Sequence, residues 1–218
     1  MSACLLPTAD SDRIETIGLY ASAPSPRYYA FYKASGYNVL QFVDEGLSQP
    51  PGQRDAYYAD LAEGIKLAKK QGFRVWVVLL SDVPDYPEFG KSWAFDPTDR
   101  QAMQKRLDGI SRAVKALRDA DGFTFFAADP GGSPRRLGID GIRIFLDMTR
   151  RVREIVEADA PKAQFNVNIW AVTAWEDMSI SPFKSPFWVK EVSWGRFLMA
   201  EPGLFGRGCG VEFGPHNY

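Results

Sequence analysis

The sequence predicts an α/β protein of the parallel (β/α) barrel type, incomplete at about five to six βα units. Three observations carry that expectation. One pattern recurs four times: an apolar run, an acidic or aromatic tip, a polar loop and an amphipathic helix. The runs Asn38–Val43, Val75–Leu80 and Phe123–Ala128 end on Asp44-Glu45, Asp82 and Asp129, and Phe165–Trp170 leads into the segment Trp170–Glu176. Strands that alternate with helices pair in parallel, so their C-terminal ends converge on one rim. Second, the helix-to-strand turns are tight, whereas the loops Ser81–Phe95, Asp129–Gly138 and Ala171–Pro186 are long. Third, neither GxGxxG nor GxxxxGK[ST] occurs, so the phosphate fingerprint of a doubly wound nucleotide-binding sheet is missing.

The elements follow in order. Gly18–Ser22 reads as the first strand, and SPRYYAFYKASG as a helix stopped at Gly36 by a glycine C-cap. After Asn38–Val43, a helix over Arg54–Gln71 carries Tyr58, Leu61, Ile65 and Ala68 on one face, and Gly72 ends it. The helix after Val75–Leu80 has the clearest start: Asp96 as N-cap, Pro97 at the first helical position and Asp99 in the first turn. Its buried stripe is Met103, Leu107, Ile110, Val114 and Leu117, and Asp121-Gly122 closes it. A helix over Ile139–Ala158 follows Phe123–Ala128, with Ile142, Phe145, Met148, Val152 and Ile155 inward. Beyond Phe165–Trp170, a last helix is expected around Trp188–Met199, and Gly210–Phe213 begins a sixth strand.

A chain of 218 residues has enough length for one domain with a sizeable core, so residues 1–218 are read as a single barrel-type domain. A complete barrel at this spacing needs about 300 residues, above the typical ~250, so the domain is expected to be truncated at its C-terminus. The remaining strands would come from the rest of the gene or from a partner chain. A net charge of −1, with 26 basic and 27 acidic residues interspersed, leaves no electrostatic footprint for nucleic acid or an anionic membrane. No apolar stretch approaches the roughly 20 residues of a membrane helix. MSACLLPTADSDR has neither a basic n-region nor an apolar h-region, so the default expectation is a soluble, cytoplasmic protein without a signal peptide. One histidine and two cysteines argue against a His/Cys metal centre, and no cofactor is expected.

Asp129, in FFAADPGGSPRR, is the first catalytic candidate. It follows an apolar strand, where restricted solvent raises a carboxyl pKa towards the range of a general acid. Gly131-Gly132 beside it permit close approach of a ligand. The competing reading is a D-P-G-G turn whose Asp caps backbone amides. Asp82, Glu176 and one of the pair Asp44-Glu45 are the further carboxylates; Glu45 is preferred because it shares a strand face with Gln41. The competing reading for these is helix capping or a solvated loop start. On the fifth strand, Asn166, Asn168 and Trp170 share one face, opposite Phe165, Val167 and Ile169. Two amides and an indole facing inward suit sugar hydroxyls and sugar C–H faces; the alternative is a buried polar ladder that only organises the core. Trp175 adds a second stacking surface. His216, after the sixth strand, and Tyr20, in the first, complete the substrate-binding set.

With those residues in place, the chain resembles the N-terminal part of a glycoside-hydrolase-like TIM barrel, of the broad hexosaminidase- or glucuronidase-like group. The opening strand IGLYASAP, the acid of AADPGG after strand four and the Trp/Asn-rich fifth strand carry the resemblance. It implies a carbohydrate substrate and an acid/base after strand four, which corresponds to Asp129. The Asn-Glu, Asp-Glu or D-x-x-D-x-D-x-E run common after strand four does not stand at that place in this sequence, which has Asp-Pro-Gly-Gly there. Two other classes remain: a non-catalytic glycan-binding barrel module, and a metal-assisted sugar isomerase or lyase using Asp and Glu with Mg²⁺.

Overall fold

A computed structural model describes residues 18–21, 25–81, 98–126, 139–168 and 209–212, with side chains placed for 18–19, 25–81, 98–126 and 144–167. Six strands form one sheet: β1 (Gly18–Ala21), β2 (Val39–Val43), β3 (Arg74–Leu80), β4 (Gly122–Phe126), β5 (Gln164–Asn168) and β6 (Cys209–Glu212). Their spatial order is the sequence order, and every neighbouring pair is parallel. A doubly wound sheet reverses its strand order at a switch point, and this one does not. Sequential parallel order is the barrel topology, so the described residues form six consecutive strands of a (β/α) barrel, in keeping with the expected fold class.

The helices are α1 (Tyr29–Ala34), α2 (Arg54–Lys70), α3 (Arg100–Ala116) and α4 (Ile139–Asp159). They occupy one face of the sheet. On that face the register aligns Phe42, Val77, Phe123 and Phe165 in one row and Leu79, Phe125 and Val167 in the next. All seven are buried in the main core with Tyr58, Ile65 and Ala68 of α2, Met103, Leu107, Ile110 and Val114 of α3, and Phe145, Met148 and Val152 of α4. The helical stripes therefore fall where their 3.6-residue period puts them; Leu61 and Ile155 pack at the margin. Ile142 lies in α4 with only its backbone described. A second, smaller cluster of Val43, Val78 and Phe126, with Leu80 against it, lies on the opposite face, which is the barrel interior.

Two helix ends turn on glycine. Gly36 and Gly72 have φ of 88° and 79°, a left-handed backbone open to glycine at no steric cost. The amides of Tyr37 and Phe73 reach back to the carbonyls of Tyr32 and Ala68, the wrap-around closure of a glycine C-cap.

The expected first helix divides in two. Pro26–Tyr28 is a 3₁₀ turn, and only Tyr29–Ala34 is α-helical. The start of α3 also differs. Asp99 is its N-cap rather than a first-turn residue: its backbone is extended, and its Oδ1 accepts from the amides of Gln101 at 2.8 Å and Ala102 at 3.4 Å. Those amides have no intrahelical acceptor, so the aspartate bonding them defines the helix end. Asp96, Pro97 and the expected helix around Trp188–Met199 lie outside the described residues. β6 begins one residue earlier than expected, at Cys209.

The rim at the N-terminal ends of the strands is tied by one carboxylate. Asp121 Oδ2 accepts from the Val75 amide at 2.8 Å, and Oδ1 accepts from Lys69 Nζ at the same distance. The Asp121 amide donates to the Val75 carbonyl, and its carbonyl accepts from the Gln164 amide. One residue thus joins the base of β3, the end of α2 and the base of β5.

Candidate active site at the C-terminal rim

The inner face of the sheet is read off the register in three rows. Nearest the N-terminal ends lie Tyr20, Gln41, Trp76, Gly122 and Gln164. The middle row is Val43, Val78, Thr124, Asn166 and Gly210. At the C-terminal ends lie Leu80, Phe126, Asn168 and Glu212. The lower row is packed: Trp76 is buried, and a Cβ added at Gly122 would come within 2.7 Å of its indole. That glycine makes room for the tryptophan. Higher up, the strands differ by side. Val43, Val78, Phe126 and Leu80 give β2 to β4 an apolar interior, while the same register positions in β5 and β6 are held by Asn166, Asn168, Gly210 and Glu212.

The rim at β2 separates the two adjacent acids. Asp44 is buried on the helix side. Its amide donates to the Val78 carbonyl, and its Oδ1 accepts from the Gly46 amide at 2.9 Å. Burial raises its pKa to about 6, against the opposing pull of the Gly46 amide, the adjoining Tyr58 hydroxyl and the positive charge of Arg106 on α3. Arg106 is itself buried. Burial in turn pushes the Tyr58 hydroxyl above the ordinary tyrosine range, with the Asp44 charge adding to it. The fit is close: any Cβ at Gly46 would collide with the Tyr58 ring and hydroxyl. Asp44 is therefore an internal fastener of the β2–α2 loop.

Glu45 is held differently. Its amide donates to the Tyr57 hydroxyl at 2.8 Å, and that hydroxyl donates to the Val43 carbonyl at 3.2 Å. Arg54 closes the same loop by donating to the carbonyls of Leu47 and Gln49. The Glu45 backbone is pinned at the rim, and among the described residues no hydrogen bond or ion pair engages its partly buried carboxylate. A positioned carboxylate with unused acceptor capacity is the kind of group that can meet a ligand hydroxyl or move a proton.

Asn166 lies in the middle inner row, partly buried, beside the buried Thr124. Its strand neighbours Phe165 and Val167 are in the helix-side core, so the alternation expected for β5 holds. Tyr20 and Asn168 occupy inner-row positions in β1 and β5, where the backbone alone is described. Asp82, Asp129, Trp170, Trp175, Glu176 and His216 lie outside the described residues. Sequence reasoning missed three features: the buried, fastening role of Asp44, Trp76 as interior filler, and Glu212. The last bears the signal used elsewhere, an acid at a strand's C-terminal end. Among the described residues no group of three or more His, Cys, Asp or Glu is arranged to hold a metal ion, and no helix is long and apolar enough to cross a membrane.

No protein-family model matches the chain, and no curated protein matches it in sequence. Solved structures do match in fold. The exo-β-1,4-mannosidase Op5Man5 of Opitutaceae bacterium strain TAV5 superposes with a TM-score of 0.50 at 13% identity, over 70% of this chain and 31% of that one. A glycoside hydrolase family 5 enzyme of Prevotella bryantii B14, in complex with a xyloglucan tetradecasaccharide, gives 0.50 at 12% identity, over 71% of this chain and 48% of its own. Cel5A of Thermotoga maritima, in complex with mannotriose, gives 0.49 at 13%, over 74% and 51%. The chain thus spans about half or less of the length of these proteins. At such identity the likeness is one of fold alone: the protein shares its parallel (β/α) barrel architecture with the Op5Man5 and Prevotella bryantii enzymes.

Proposed function

We propose that this protein is a carbohydrate-active barrel, acting as a glycoside hydrolase through carboxylates at the C-terminal ends of its strands. The observation that carries the reading is the sequential parallel order of six strands, which gathers Glu45 and the polar ends of β5 and β6 on one rim. That rim is where barrels of this class keep their chemistry. Glycoside hydrolysis needs two carboxyl groups, about 5–5.5 Å apart for retention or about 6.5–9.5 Å for inversion. Asp129 is assigned as general acid, and the second carboxylate is drawn from Glu45, Asp82 and Glu176. Trp170 and Trp175 supply stacking surfaces; Asn166, Asn168, Tyr20 and His216 supply hydroxyl contacts. The glycoside hydrolases that share the fold support a carbohydrate substrate, and the hexosaminidase- or glucuronidase-like grouping remains the finer form of the same proposal.

The test is a panel of aryl glycosides and oligosaccharides incubated with the full natural protein and with Asp129→Asn. Turnover that falls by about 10²-fold or more in the variant supports the acid assignment. Saccharide binding that needs Trp170 and Trp175 yet survives Asp129→Asn, with no turnover by either protein, identifies a glycan-binding module instead. Turnover abolished by a chelator identifies the metal-assisted alternative.

A further inference from the structure

Glu212 ends β6 in register with Asn168 of β5, one row beyond the pair Asn166 and Gly210. The intervening β6 residue, Val211, pairs with Val167, which is buried against the helices. By strand alternation Glu212 and Gly210 therefore occupy the inner-face rows. Those rows are unequal across the sheet. From β2 to β4 the middle row presents Val43, Val78 and Thr124, all buried, so that sector is filled. Next to Asn166 stands a glycine, which contributes no side chain to the row, and Asn166 is only partly buried. Among the described residues, the inner rows are packed with mostly apolar side chains over β2–β4 and carry polar residue types and a glycine at their register positions over β5–β6.

We propose that the β5–β6 sector is the sugar subsite of the rim, with Glu212 as the carboxylate that anchors a pair of substrate hydroxyls. The chemistry fits the residue types. A carboxylate accepts from two hydroxyls at once, an amide both donates and accepts, and a glycine adds no side chain at the register position beside Asn166. Neutral hydroxyls bonded to an anionic acceptor make the stronger class of hydrogen bond, so one such residue sets much of the specificity. The assignment rests on the carbohydrate reading above and adds a residue to it. Glu212 acts here in binding, and proton transfer stays with other carboxylates.

The experiment is titration calorimetry and steady-state kinetics on the full natural protein, with mannotriose, cellotriose and aryl β-glycosides as probes. Glu212→Gln keeps the shape and loses the charge; it should weaken binding and raise KM about 10- to 100-fold while changing kcat far less. Asn166→Ala should weaken the same ligands, and the thermal unfolding midpoint of each variant checks folding. If wild type binds and Glu212→Gln binds equally well, the anchoring role is overturned and the carbohydrate reading stands. If Glu212→Gln lowers kcat by orders of magnitude at unchanged KM, the anchoring role is also overturned, because the residue then takes part in the chemical step. If wild type neither binds nor turns over any probe, the carbohydrate reading fails and takes this assignment with it.

Discussion

Asp121 and Lys69 meet at 2.8 Å at the N-terminal rim of the sheet, and the other carboxylate oxygen of Asp121 takes the Val75 amide at the same distance. The two contacts are unequal in consequence. Both partners of the ion pair are about a third exposed, a setting in which such pairs contribute roughly 0–1 kcal/mol. The amide at the start of β3 has no such latitude, since an unmade hydrogen bond there leaves a strand-end donor without its acceptor. Asp121→Asn, which can still accept from Val75, should cost under about 1 kcal/mol, whereas Asp121→Ala should cost about 1–3 kcal/mol. Urea unfolding of the two variants separates the contributions; equal losses would show that the ion pair dominates.

Asp44 sets a pH dependence of stability. Its folded pKa of about 6 lies above the ordinary 3.8, so the folded state holds a proton that the unfolded chain releases. Between those values the unfolded state binds fewer protons, and stability falls as pH rises. The stabilising contribution is complete below about pH 4 and lost above about pH 6, with an amplitude on the order of 2–3 kcal/mol. Asp44→Asn should flatten that portion of the curve. Thermal midpoints from pH 4 to 7 for the two proteins make the comparison; parallel curves would remove Asp44 as the cause.

The packing of Trp76 on Gly122 predicts strong non-additivity. A methyl group at residue 122 would lie 2.7 Å from the indole, too close for any real Cβ. Gly122→Ala should destabilise by about 1–3 kcal/mol through overpacking. Replacing Trp76 by leucine in the same chain should recover part of that loss, because the smaller side chain vacates the space. A double-mutant cycle in denaturant measures the coupling, and strictly additive losses would mean that the backbone rather than the indole resists the methyl group.

The barrel was legible in the sequence because it is written in local signals. Apolar runs ending on acids, glycine stops at Gly36 and Gly72, and the stripe from Met103 to Leu117 each depend on residues within one element. The division of labour between Asp44 and Glu45 was only half legible. Alternation along β2 separates their faces, but the partners that bury and charge Asp44, Tyr58 and Arg106, come from α2 and α3 and meet it only in the folded chain. The start of α3 was misread for a similar reason. Asp96 before Pro97 has the local signature of an N-cap, whereas Asp99 is shown to be the cap only by the folded backbone, which aims the Gln101 amide at its carboxylate. Glu212 was passed over because its strand is short and far from its predecessor, so the acid-tip pattern there had little periodicity to support it.

The neighbours Asp44 and Glu45 also supply a controlled test of the rim. Asp44 is committed to Gly46 and buried beside Arg106, while the carboxylate of Glu45 is unengaged by any described residue, at a backbone position fixed by Tyr57. Under the proposed function, Glu45→Gln should lower kcat on a responsive glycoside by about 10²- to 10⁴-fold while leaving the unfolding midpoint close to wild type. Tyr57→Phe deletes the hydroxyl that pins Val43 and Glu45, and should lower kcat less while reducing stability by about 1 kcal/mol. Kinetics and denaturant unfolding on the same preparations distinguish the cases. A Glu45→Gln protein that turns over substrate at the wild-type rate would confine the catalytic carboxylates to the other strand ends.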